Sequence, residues 1–379
     1  MKQIYLDYAA ATPLSEDILA AMKPYFSERF YNPSATYLVA RNVRGEMNDI
    51  RHRAAVVLGA KPAEIVFTAG ATEANNLAIQ GVLNRYPKSE LLVSAVEHES
   101  VMEPAKLFGA KEIPVDANGT IILNKLSNLI NEKTVLVSMM YVNNELGTIH
   151  NLKEIAGLLA GVRTKRREEG NTAPIYLHTD AAQAGNYLDL HVSRLGVDLM
   201  SINGGKLYGP KQSGLLFVKA GVQLQPMIVG GGQESGFRSG TENVAADAGL
   251  VAALEQAQAG RAAEAKRVTA LRQDFEREMA EKLPTAIING SKSGRAPHIV
   301  SLTLPGKDNE RLMMELDERG IMCAVGSACS ASRDEASHTL SAIGLNEADA
   351  RATLRFSLGR ETTAEELRHT LKVLAELTL

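Results

Sequence analysis

Tyr176-Leu-His-Thr-Asp-Ala-Ala-Gln183, followed by Val197-Asp-Leu-Met-Ser-Ile-Asn-Gly-Gly-Lys206, decides the fold of this chain. Each stretch is a short apolar run that ends on a chemically distinctive residue: Asp180 closes the first, and Lys206, 26 positions later, follows the second across two glycines. Working outward, similar runs occur at 64–68, 91–95, 134–140, 175–179, 197–202 and 214–218, and helix-length segments separate most of them. Continuous apolar runs without a polar face are the pattern of strands buried on both sides, so the chain is expected to be α/β with a central, mainly parallel sheet. A glycine-rich stretch (Gly230-Gly-Gly232, Gly236, Gly240) leads into a helical pattern over 242–282, which is expected to be interrupted at Gly260 and to end near Pro284. Strand-like 299–304, helical 309–319, the run 321–325, strand-like 353–357 and a last helix over 363–377 describe a smaller α+β domain.

The chain has 379 residues, 45% of them hydrophobic, and no low-complexity tract, so it can bury a substantial core and divide into two domains. Its net charge of -3, with acids and bases interspersed, gives no field that would favour nucleic acid or an anionic membrane. The basic cluster from Arg163 to Arg167 reads as a helix end on a solvated face. The N-terminus lacks the regions of a signal peptide and no apolar run approaches spanning length, so a cytoplasmic location is the expectation. Cys323 and Cys329 are too few for a disulfide framework and lack the partners of a zinc site, so no metal site is expected. If a cysteine acts here, it acts as a thiol.

Several strand ends carry candidate chemistry. An aspartate ending one strand and a lysine just past the next suggest a pyridoxal phosphate site, in which the amine condenses with the aldehyde and the carboxylate keeps the pyridine nitrogen protonated. The run 64–68 enters Ala69-Gly-Ala-Thr-Glu-Ala-Asn-Asn76, where Thr72 is expected to cap a helix whose free amides could seat a phosphate; a capped helix alone is the competing reading. Thr241, after Arg238-Ser-Gly240, repeats the pattern. His98 emerges at the same sheet edge and could stack on a flat ring or merely cap a helix, and Asn143-Asn144-Glu145 adds amides there. Arg355 can grip a carboxylate or serve a structural ion pair. Cys329 lies in Gly326-Ser-Ala-Cys-Ser-Ala-Ser332, whose small side chains predict a mobile loop with an accessible thiol, whereas Cys323 reads as a small buried hydrophobe.

These residues resemble the NifS/IscS-like cysteine desulfurases, pyridoxal phosphate enzymes with the aspartate aminotransferase type of fold. The likeness runs through Tyr5-Leu-Asp-Tyr-Ala-Ala-Ala-Thr-Pro13, Asn32-Pro-Ser34, Phe67-Thr-Ala-Gly-Ala-Thr-Glu73, Glu97-His98, Asn143-Asn-Glu-Leu-Gly147, Asp180-Ala-Ala-Gln183, Lys206-Leu-Tyr-Gly-Pro-Lys211, Arg238-Ser-Gly-Thr241, Gly326-Ser-Ala-Cys329 and Arg355-Phe-Ser-Leu-Gly359. The resemblance implies a large cofactor domain over 12–255 and a small domain from 1–11 and 256–379 that carries the cysteine loop. It implies Lys206 as the Schiff-base lysine, Asp180 as the pyridinium partner and His98 as the stacking residue, with Gln183 and Asn144 near the phenolic oxygen. Ala71 and Thr72 would hold the phosphate, with Thr241 reaching in from the second subunit of a homodimer. Asn32, Asn144 and Arg355 would bind the substrate L-cysteine, and Cys329 would accept its sulfur for an iron-sulfur scaffold or a tRNA-thiolation protein, meeting metal only as part of a transferred iron-sulfur cluster. The family's usual Ser-x-His before the lysine is Asn203 and Gly205 here, and losing a hydrogen bond to a charged group costs roughly 1.5 to 3 kcal/mol. That departure keeps a cofactor-poor scaffold protein as an alternative, beside a selenocysteine lyase of the same fold.

Overall fold

The six apolar runs of the first half all become strands of one seven-stranded sheet, in the order Ile65–Thr68, Gly214–Val218, Leu199–Asn203, Tyr176–Asp180, Thr134–Ser138, Glu90–Ser94, Lys111–Ile113. The computed structural model describes residues 3–326 and 337–378. Gly214–Val218 runs antiparallel to both neighbours, and the other adjacent pairs are parallel. The edge strand Lys111–Ile113 escaped sequence reading because only Ile113 of its three residues is buried. Alternation along the strands feeds two cores: Leu92, Val137, Leu177 and Met200 face one side, Leu91, Val93, Val135 and Leu199 the other. Helix Leu38–Leu58, helix Leu152–Glu168 and the start of the long helix Val244–Lys282 cover the first side, helices Ala71–Arg85 and Glu99–Lys106 the second.

The helix Val244–Lys282 runs unbroken for 39 residues through Gly260, where an interruption was expected. A helical glycine costs about 1 kcal/mol relative to alanine. Packing on both sides offsets it: Leu250, Val251 and Leu254 enter the large core, and Val268, Phe275 and Met279 enter a second one. Asn243 caps the helix, its Oδ1 accepting the Ala246 N–H at 3.2 Å, so Thr241 stands outside the helix start rather than at it.

The second core lies on a four-stranded antiparallel sheet ordered Ala324–Val325, Thr353–Ser357, Ile299–Thr303, Ile287–Asn289, with helices Asn309–Glu318 and Ala364–Thr378. The run 321–325 divides at Cys323: Ile321–Met322 pairs in parallel with Ile4–Tyr5, while Ala324–Val325 joins the sheet. Cys323 is buried, and burial pushes its thiol up to about 12, the behaviour of a small hydrophobe. Leu340, Ile343 and Ala350 return to the large core. Among the described residues no helix is long and apolar enough to cross a membrane.

Among the basic residues of the Arg163–Arg167 cluster, only Lys165 and Arg167 lie on a solvated face. Arg166 is buried and donates to the carbonyls of Asn131, Thr134, Ala173 and Pro174 at 2.7 to 3.2 Å, tying a helix end to the loops that flank two strands. Arg163 pairs with the buried Asp198 and donates to the Ile175 carbonyl at 2.9 Å. Arg166→Leu strands four carbonyls, and urea denaturation should register a loss of about 3 kcal/mol.

His178 sits in the middle of the sheet, with Nδ1 2.8 Å from Ser138 Oγ and Nε2 3.0 Å from Ser201 Oγ. Burial drives its pKa down to about 3, so the folded protein holds it neutral. The unfolded chain protonates it near the usual 6.5, so its share of stability is present above that value and is lost as pH falls from about 6.5 toward about 3, at about 1.4 kcal/mol per pH unit. Denaturation midpoints of wild type and His178→Gln between pH 6 and 4 should differ in slope by one proton.

Candidate active site

Lys206 follows strand Leu199–Asn203 by a single tight turn, Gly204–Lys206, and its Nζ donates to the carbonyl of Ala10. That carbonyl belongs to an N-terminal strap, residues 7–12, which crosses the carboxyl edge of the sheet. The strap is held from below by Thr12 N–H on the Gly205 carbonyl at 3.1 Å, Thr12 Oγ1 accepting the Tyr208 N–H at 2.8 Å, and Gln183 Nε2 on the Ala9 carbonyl at 2.9 Å.

Asp180 ends the neighbouring strand and is buried. Its Oδ1 accepts the Ala182 N–H at 2.8 Å and its Oδ2 the Asn75 Nδ2 at 2.8 Å. Asn75, fully buried on helix Ala71–Arg85, also donates to Ser100 Oγ at 2.9 Å, and that oxygen lies 2.9 Å from His98 Nδ1. A buried polar chain therefore links the carboxylate to the imidazole. His98 is the N-cap of helix Glu99–Lys106, its Nδ1 accepting the Ser100 N–H at 3.1 Å, so the capping reading of this histidine holds, and its ring lines the cavity described below. With Nδ1 an acceptor, the neutral ring carries its proton on Nε2. Burial lowers the His98 pKa, against the pull of Asp180, and keeps the ring uncharged. Glu97, fully buried beside it, is shifted the other way: burial, with a push from Asp180, raises its carboxyl well above the usual range.

Arg355 rises from the small sheet strand Thr353–Ser357, pairs with Asp7 at 2.7 Å and donates to the Asn144 carbonyl at 3.1 Å, while its Nε is buried without a partner. Asn143 is structural: its Oδ1 accepts the N–H groups of Glu145 and Leu146, and its Nδ2 donates to the Val96 carbonyl. This leaves Asn144 on the cavity side.

A cavity of about 260 Å³ gathers Ala71, Thr72, His98, Asn144, Asp180, Gln183, Asn203, Lys206 and Arg355. A neighbouring cavity of about 570 Å³ shares Ala71, Thr72, Asn203 and Lys206 with it and adds Gly205, Asn76 and Lys211. Helix Ala71–Arg85 opens on this second cavity with Gly70 as its N-cap, so Thr72 lies inside the first turn instead of capping it. Asn32 and Thr241 are exposed and line neither cavity, and Cys329 lies outside the described residues. Sequence reading gave no role to Asn75, Ser100, Asp7 or the Ala10 carbonyl. Asn75 could have been found, since a polar residue two positions past a helix-start glutamate on an otherwise apolar helix face needs a buried partner.

The model for Aminotransferase class-V matches residues 4–369. The chain belongs to the class-V aminotransferase family. The cysteine desulfurase IscS of Dictyoglomus turgidum is 38% identical over 99% of this chain and 94% of its own length, and the rat cysteine desulfurase 36% identical over 98% and 82%. Among solved structures, a NifS-like protein superposes with a TM-score of 0.90 at 29% identity, covering 99% of both chains, and SspA in complex with cysteine with 0.79 at 34%, covering 94% and 99%.

Class-V aminotransferases work with pyridoxal phosphate, and the donor set fits that group. The buried Asp180 has two donors already in place and lines a cavity with Lys206, the neutral imidazole of His98 and Arg355. Asn75→Leu removes the side-chain donor of Asp180 without changing size much. Urea denaturation of the cofactor-free protein should show a loss of about 1 to 3 kcal/mol, and Ser100→Ala a smaller one.

Proposed function

We propose that the chain is a pyridoxal phosphate-dependent cysteine desulfurase that converts L-cysteine to L-alanine and takes the sulfur onto Cys329 as a persulfide. The observation that carries this reading is the convergence of Asp180, His98, Lys206 and Arg355, from three strands and a helix start, on one cavity. When bound, pyridoxal phosphate supplies an aldehyde for amines and a ring that accepts the electron pair left at Cα.

The chain's own residues do the rest. Asp180, oriented by Asn75, would hold the ring nitrogen and favour its protonated form. His98 presents a neutral ring for stacking, with its Nδ1 already committed to the helix cap. Arg355 meets the substrate carboxylate, and its prior contacts with Asp7 and the Asn144 carbonyl fix the guanidinium plane before substrate arrives. Lys206 would hold the cofactor's aldehyde carbon through its amine and would carry a proton at the substrate Cα; the Ala10 carbonyl sets the position of that amine. Cys329 takes the substrate sulfur as a thiolate: its S–S bond forms as the Cβ–S bond breaks, and the electron pair left on carbon is protonated to give the methyl of alanine.

In this reading the working form is a cytoplasmic homodimer, in which the exposed Thr241 serves the partner's phosphate and Asn32 the substrate. The persulfide goes on to an iron-sulfur scaffold or a tRNA-thiolation protein.

The test is to add pyridoxal phosphate and L-cysteine to the purified protein and follow the lysine-bound cofactor absorbance, alanine and sulfide. Lys206→Ala and Cys329→Ala should both abolish desulfuration, and only Lys206→Ala should remove the absorbance band. A wild-type protein that forms no such band at saturating cofactor would overturn the enzyme reading in favour of a scaffold.

A further inference from the structure

We infer that Lys211 is the charge partner of the cofactor phosphate in this chain, in the place of the histidine that the family pattern puts at position 205; the inference rests on the function proposed above. Two adjacent glycines make the argument, because only one of them is required by packing. A Cβ on Gly204 would stand 2.1 Å from Ser213 Oγ and 3.0 Å from the Pro210 carbonyl, so no other residue fits there. Gly205 has no positive φ, and a Cβ on it would meet nothing nearer than 3.5 Å. Its two nearest neighbours would be Asn203 Oδ1 and Lys211 Cγ, both at ordinary contact distance. The fold therefore accepts a side chain at 205, and that side chain would run along the stem of Lys211. With glycine in place the space belongs to Lys211.

The electrostatics point the same way. Lys211 lines the 570 Å³ cavity with Thr72, Asn76 and Gly205, at the start of helix Ala71–Arg85. Its Nζ donates at 3.1 Å to the carbonyl of Thr12, an uncharged acceptor, and among the described residues it makes no ion pair. Glu73, the acid lining the same cavity, is engaged by Arg238 at 2.9 Å and accepts the Ala69 N–H at 2.8 Å. An ammonium has three donors, so two remain for phosphate oxygens. Asn203 cannot supply the missing charge, because its amide is neutral: its Oδ1 accepts the Gly205 N–H at 3.0 Å, and its NH₂ is the donor it can offer a phosphate oxygen. A dianion entering this cavity meets, besides Lys206, the charge of Lys211, which no carboxylate among the described residues neutralises, beside the positive end of a helix.

The experiment compares pyridoxal 5'-phosphate with pyridoxal, which lacks the phosphate, by absorbance titration of cofactor-free wild type, Lys211→Gln, Lys211→Arg and the double variant Lys211→Gln, Gly205→His. Lys211→Gln should weaken pyridoxal 5'-phosphate at least about tenfold while changing pyridoxal less than about twofold, the loss of one charge-assisted contact to the phosphate alone. Lys211→Arg should keep most of the affinity, and Gly205→His should restore part of it in the Gln background. Lys211→Met gives the same comparison if the Gln variant folds poorly. Equal weakening of both ligands, or none, overturns the inference; a wild type that binds neither ligand overturns the proposed function and the inference together.

Discussion

A carboxylate buried at the end of a central strand must be given hydrogen-bond donors, and in this protein the requirement of Asp180 organises everything around it. The parallel register sets Asp180 opposite Ser201, one turn short of Lys206. One of its donors is its own loop amide, and the other, Asn75, comes from a helix on the far face of the sheet. Through Ser100 the same bond fixes the start of a second helix and the ring of His98. A single desolvated charge thus orients two helices and one imidazole. Glu97 is driven toward its neutral form mainly by its own burial, and Asp180 adds a smaller push in the same direction.

The strands of the large sheet, though not their order, were legible because strands buried on both faces read as unbroken apolar runs, and all six such runs are strands. The edge strand Lys111–Ile113 carries two exposed charged residues and left no such trace. The break expected at Gly260 rested on local propensity, and burial on either side of that glycine outweighed it. Arg166 was misread for a related reason: a charge at a helix end reads as solvated until the carbonyls of distant loops are seen to converge on it. The candidate site was legible where chemistry sits on strand ends, as with Asp180, His98 and Lys206. It was not legible where the contribution is a main-chain carbonyl, as at Ala10, or a buried amide whose value lies in what it touches, as at Asn75.

Arg355 makes the structural ion pair and also lines the cavity. A guanidinium has five donors, and Asp7 and the Asn144 carbonyl take only part of them. The ion pair that looks structural is the means by which the functional group is held rigid, with the remaining edge left toward the cavity.

The N-terminal strap has a consequence for how the protein is made. Its contacts reach across most of the chain: Asp7 to Arg355 is 348 residues away, the Ala9 N–H to Ser357 Oγ equally far, and Thr12 to Gly205 spans 193. Such distant closures come late, since the entropy of bringing the ends together is met before the contacts reward it. During synthesis the contacts of Asp7 and Ala9 with Arg355 and Ser357 must wait for strand Thr353–Ser357, whereas those of Ala10 and Thr12 need only the chain as far as Tyr208. A nascent chain can therefore complete its central sheet and set the Ala10 carbonyl on Lys206 while Asp7 still lacks its arginine, and the strap is clamped at both ends only once Arg355 has been made.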